Sequence, residues 1–131
     1  MESNAPIVFN FEKLIVYQRA VDFVDFVYTL TDKFPKSEIF NLISQFNRAS
    51  TSLPLNIGEG SGGTEKDFIN FIRISYKSLN ECVVCSTLAL RRNYISKAEN
   101  DECRKQLSEI SKMLSGLRNS LNKKIAEKNN K

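Results

Sequence analysis

Residues 45–63 read QFNRASTSLPLNIGEGSGG, and two rows run through them. Ile39, Leu42, Phe46, Ala49, Leu53 and Ile57 recur at spacings of three and four, the period of one apolar helix face. Beside that face stand Gln45, Arg48, Ser52, Asn56 and Glu59, at spacings of three, four, four and three. The stretch is therefore a helix with an apolar seam, a polar column alongside it and glycines at its end. No segment of the chain alternates with the period of two that a strand needs. The class is all-α, and the rest of the chain sets the number of helices.

Upstream, a first helix is predicted from Glu12 to Lys33. It carries two apolar stripes, one through Leu14, Tyr17, Val21, Val24 and Tyr28, the other through Val16, Ala20, Phe23, Val27, Leu30 and Phe34. Two adjacent stripes call for burial against more than one neighbour. Phe34-Pro35 stops this helix, because proline pushes the preceding residue out of the helical region. The second helix is expected to start with Ser37 as its N-cap and to run to Glu59 or Ser61. Pro54 within it predicts a kink near Ser50, with the Ser50 or Thr51 hydroxyl compensating for the lost hydrogen bond. Downstream, Thr64 with Asp67 and Ser96 with Glu99 are capping boxes that open a third and a fourth helix. Cys103, Leu107, Ile110, Leu114, Leu117 and Leu121 form the seam of the last. Four long helices with short links predict an antiparallel up-down-up-down four-helix bundle. It is read as a single domain over residues 1–131, with a loose lead-in at 1–10 and a frayed tail at 127–131.

Composition narrows the function. A chain of 131 residues, 41% hydrophobic and 26% charged, is of ordinary globular make-up. No apolar run approaches the ~20 residues of a membrane span, and MESNAPIVFN lacks the basic and apolar regions of a signal peptide. A cytoplasmic protein without membrane contact is expected. The three cysteines are an odd number, which suits a reducing compartment. The chain has no histidine, which excludes Ser-His and Cys-His nucleophile pairs and leaves a metal only Cys, Asp and Glu. No catalytic residue, cofactor or metal site is assigned.

The net charge of +4 is uneven. Residues 91–131 hold eleven Lys and Arg against five acids, and residues 1–90 hold eight against ten. A basic C-terminal third attracts nucleic acid or an acidic partner, or is simply a solvated face. Arg91, Arg92, Arg104, Lys105, Arg118, Lys123 and Lys124 are the candidate nucleic-acid contacts. Arg48 and Glu81 each interrupt a row of small and apolar residues. They are expected to meet as a buried pair within a polar network of Gln45, Ser52, Asn56 and Glu59, since a buried charge needs a partner. The alternative is a ligand site built from the same groups. GEGSGG is either a helix end with a turn or a backbone cradle for phosphate, although it lacks the Lys-Ser/Thr of a P-loop. Cys82 and Cys85, mid-helix, read better as small core residues than as half a metal or redox motif. The surplus apolar surface of helix one, with Phe9, Phe11 and Phe26, points to self-association.

These residues also carry a resemblance. LIVYQRA, FP-x-x-E-x-F-x-L at 34–42, Q-x-x-RA-x-x-S-x-P-x-NI-x-EG-x-G at 45–62, DF-x-x-F at 67–71 and SLNE at 78–81 resemble the small proteins encoded within 23S rRNA intervening sequences. Phe46-Asn47, Gly63 and Lys77 depart from the pattern. The resemblance implies a four-helix bundle forming a ring-like homopentamer. It also implies kinship of fold with the accessory proteins of diversity-generating retroelements, basic pentamers that bind nucleic acid and a reverse transcriptase. Two expectations follow: an oligomer associated with RNA or other nucleic acid through a basic outer surface, or a scaffold presenting a ring surface to an enzyme partner.

Overall fold

The computed structural model describes residues 5–130. Its four helices are α1 (Ile15–Thr31), α2 (Ser44–Ser61), α3 (Glu65–Arg91) and α4 (Lys97–Asn129), with no strand among the described residues. The apolar rows converge on one core, in which Phe23, Phe46, Leu53, Ile72, Leu107 and Leu114 are wholly buried. Cross-helix contacts show the directions. Thr31 meets Asn47 and Phe11 meets Gly58, while Ser52 meets Ser78 and Gly60 meets Phe68. Tyr76 reaches Ser111, and Ser86 reaches Asn100. In each pair of neighbours the numbers rise on one helix as they fall on the other, so consecutive helices run in opposite directions. Arg19–Glu109 and Lys33–Glu99 bring α4 back beside α1.

Both expected capping boxes are present. Thr64 Oγ1 accepts from the Asp67 N–H at 3.1 Å while Asp67 Oδ2 accepts from the Thr64 N–H at 3.0 Å. Ser96 and Glu99 repeat the exchange at 3.1 and 2.8 Å. Each box satisfies donors that a helix start leaves unpaired.

The first two helices begin later than their sequence suggests. Asn10–Lys13 is a 3-10 turn in which Glu12 Oε1 accepts from the Phe9 N–H at 2.9 Å, and α1 follows at Ile15. Ser37 is not an N-cap. Lys36–Glu38 forms a 3-10 turn and Ile39–Ile43 a π-turn, with Asn41 outside the helical region at φ −120° and ψ −105°. Glu38 is drawn across to the α3–α4 link instead, where its carboxylate accepts from the Tyr94 hydroxyl at 3.0 Å. α2 then spans Pro54 as one helix. The Ser50 and Thr51 hydroxyls both donate to the Asn47 carbonyl, at 3.0 and 2.7 Å, rather than to the Ser50 carbonyl that proline leaves free. At the other end of the chain α4 continues through residues 127–129, and the lead-in gives way to the first turn at Asn10.

The glycine stretch serves close packing more than turning. None of the glycines has a positive φ, and α2 runs through Gly58 and Gly60 to Ser61. A Cβ on Gly60 would lie 2.8 Å from atoms of both Phe68 and Phe71, so only glycine lets α3 sit that close. The left-handed residue is Asn93 (φ 61°), which follows α3 as a helix C-terminal residue of this type commonly does.

Candidate functional site

The expected buried network is not there. Gln45, Arg48, Glu59 and Glu81 are exposed, and no ion pair joins Arg48 to Glu81 among the described residues. The helical rows are as read, but each is rotated so that its charged member clears the seam. Long charged side chains reach water easily from such a border position. Only the short members of the row interact: Ser52 Oγ lies 2.8 Å from Ser78 Oγ, and Asn56 Nδ2 donates to Ser52 Oγ at 2.8 Å. Gln45 faces a small groove with Leu88 and Arg92, while Arg48, Ser52, Asn56 and Glu59 of the column line a separate open groove of about 520 Å³ with Tyr28 and Leu55.

Next to it, between α1 and α2, lies an apolar groove of about 460 Å³. Tyr17, Val21 and Val24 of the first stripe form one wall, Pro54, Leu55 and Gly58 the other, and Phe11 closes an end. The second stripe, Val16 to Phe34, is the one that enters the core. Two stripes thus do two jobs, and one of them stays at the surface, where Ile15, Tyr28 and Leu55 are also exposed.

No phosphate cradle forms at the glycine turn. The first turn of α3 holds its own carboxylates, Glu65 and Asp67, and Asp67 takes the Thr64 N–H, so a second anion meets repulsion there. Cys82, Cys85 and Cys103 are free thiols buried in the core. Burial raises all three, Cys85 and Cys103 to about 11, so they stay protonated and unreactive at neutral pH. Among the described residues no group of three or more Cys, Asp or Glu is placed to hold a metal.

The basic candidates separate into distinct neighbourhoods. Because α3 and α4 are antiparallel, residues 65–77 pack beside residues 111–128. Together these segments hold eight cations (Lys66, Arg73, Lys77, Lys112, Arg118, Lys123, Lys124 and Lys128) against three acids, a net +5. Seven of the cations are exposed. Arg118 lies over the Tyr76 ring at 5.2 Å from its centroid, a cation–π contact that fixes the guanidinium. Lys128 bonds Glu65 at 2.6 Å and holds that carboxyl below its usual range.

Arg104 and Lys105 sit differently, in the half of α4 that also carries Glu99, Asp101, Glu102 and Glu109. Arg104 donates to Thr87 Oγ1, and Lys105 shares a polar groove with Asp22, Glu102 and Glu109. Glu99, paired with Lys33, is likewise held below the usual carboxylate range by that hydrogen bond. Arg91 and Arg92 are exposed at the end of α3. Reading only the C-terminal third of the chain misses Lys66, Arg73 and Lys77. Counting charge by antiparallel halves is the signal that finds them.

No helix among the described residues is long and apolar enough to cross a membrane. No curated protein matches the chain. A crystal structure of a protein of unknown function from the S23 ribosomal protein family of Bacteroides thetaiotaomicron is similar, with a TM-score of 0.74 at 25% identity. The match covers 80% of this chain and 96% of that one. The model of the family described as 23S rRNA-intervening sequence protein matches residues 12–116, a span that takes in nearly all of the α1–α2 grooves, the glycine approach to α3 and four of the eight cations of the basic α3–α4 segments. The chain is a member of the 23S rRNA-intervening sequence protein family.

Proposed function

We propose that the protein is a non-enzymatic, self-associating module that binds structured nucleic acid, RNA foremost, through the basic side formed by α3 and α4. The observation that carries this reading is the net +5 on the two paired segments of α3 and α4, eight cations against three acids. Such a field attracts phosphate without reading sequence. A second copy of the chain is the partner proposed for the α1–α2 side. That side is apolar along its groove, and its flanking column carries Arg48 near one end and Glu59 at the other, so two copies facing each other have opposite charges to match. A ring of copies multiplies the phosphate contacts. A homopentamer is the assembly that the sequence resemblance implies.

Fluorescence anisotropy with a labelled structured RNA tests the reading. If each protomer neutralises about four phosphates, affinity falls about a hundredfold between 50 and 200 mM salt. Light scattering after nuclease treatment should give a mass that is a multiple of 15.0 kDa, and a larger mass before treatment would report bound nucleic acid. Absence of binding at 50 mM salt, or binding indifferent to salt, would refute the nucleic-acid role. A scaffold for an enzyme would then be the better account, and it would recover one protein in a nuclease-treated pull-down.

A further inference from the structure

We infer that Phe40 of one copy, with Ile39 and Lys36 beside it, seats in the apolar α1–α2 groove of the next copy, head to tail. This rests on the self-association reading above and names the surface that meets the groove. Phe40 is 93% exposed and Ile39 47%. Both stand on the π-turn that leads into α2, next to Leu42, which is buried in the core. Single exposed apolar residues are ordinary, but two in succession on an ordered turn make a knob that gains by being covered.

The groove has room and chemistry for that knob. Its volume is about 460 Å³, whereas a cavity of about 150 Å³ already holds a benzene ring. Phe11 and Tyr17 both line it, their rings edge-on at 5.0 Å, and a third ring packs well against such a pair. Charge matches too. The groove is lined by Asp25 and Glu59 and by no cation, and the knob has Lys36 beside it. Neither acid nor Lys36 makes an ion pair among the described residues. Glu38, the acid beside the knob, already accepts from Tyr94.

Register ties these features together. Arg48 and Glu59 are eleven positions apart, and so are Phe40 and Thr51 on the groove wall. Sliding one copy along a parallel neighbour by those eleven residues, roughly 16 Å at the helical rise, brings Arg48 opposite Glu59. The same shift sets Phe40 level with Thr51, Pro54 and Leu55. Antiparallel copies that matched the same two charges would put Phe40 opposite position 67, past the end of α2 at Ser61, where this groove is absent. The parallel, staggered contact is therefore the one that satisfies charge and knob at once. It joins two different surfaces, so it continues beyond two copies until the assembly closes.

Light scattering on the nuclease-treated full chain tests this. The parent should contain more than two copies. Phe40→Asp should bring the mass towards 15.0 kDa, while Phe40→Trp and a change in the exposed lead-in, Phe9→Asp, should leave it alone. Mixing Phe40→Cys with Leu55→Cys under a mild oxidant should link two copies by a disulfide, and neither variant alone should link. The native thiols are buried and stay out of the reaction. An assembled parent whose mass survives Phe40→Asp, with no link in the mixture, would overturn the knob and leave self-association standing. A parent that stops at two copies would also overturn it, as would a mass lost on Phe9→Asp and kept on Phe40→Asp, which makes the lead-in the occupant. A parent of 15.0 kDa would remove both readings.

Discussion

The two sides of this bundle are built on the same core and have opposite chemistry outside it. α1 and α2 together carry two cations and three acids, and between them run an apolar groove and a polar column. The paired segments of α3 and α4 carry eight cations and three acids. A surface that sheds water cheaply suits another protein face, whereas a surface crowded with ammonium and guanidinium groups suits phosphate. The difference shows that a bundle's seam leaves its outward faces free to specialise. Overall net charge, a modest +4, hides that division.

The largest effect should come from reversing charge on the basic side. Arg118→Glu, Lys123→Glu and Lys124→Glu together are expected to weaken RNA binding by at least a hundredfold at 50 mM salt and to flatten its salt dependence. Their solution mass should not change. Arg104→Glu with Lys105→Glu should cost less than threefold, because acids of the same half of α4 already offset those two cations. Equal losses from both sets, measured by anisotropy, would erase the distinction between the halves of α4.

The complementary change lies across the molecule. Leu55 is 56% exposed at the junction of the two α1–α2 grooves, so Leu55→Lys should leave the melting temperature of dilute protein nearly unchanged. It should reduce the mass in solution towards 15.0 kDa, since a lysine buried in an apolar contact lacks a partner. RNA affinity should then fall only by the avidity that assembly provides. A mass unaffected by Leu55→Lys would place self-association on some other face.

Much of this was legible in the residues. The four helices, both capping boxes and the seam of α4 follow from period and cap chemistry, which act over three or four residues. The start of α2 was not, because Glu38 answers to Tyr94, 56 positions later in the chain. Nor was the placement of Arg48 and Glu81. Period fixes which residues share a row, but a row at the border of the seam turns inward or outward according to the packing of neighbouring helices. Only the full set of contacts decides which of the two α1 stripes is core and which is surface. The basic side was half visible, since α4 advertised its lysines while the contribution of α3 depended on antiparallel register.

That last distinction gives the finest test, within the polar row itself. Ser52 is half-buried, shares a 2.8 Å hydrogen bond with the buried Ser78 and accepts another from Asn56. Ser52→Ala leaves the Ser78 hydroxyl and an Asn56 donor short of a partner, and should cost about 1 kcal/mol in urea unfolding. Glu81, exposed and unpaired, should tolerate Glu81→Ala within about 0.5 kcal/mol. Had it been locked against Arg48, its removal would cost about 3–5 kcal/mol by stranding a buried guanidinium. The order of the two values is therefore decisive. A small hydroxyl that matters more than a carboxylate one face away means that the row is held together by its shortest side chains, with the charged ones left to the solvent and to whatever docks there.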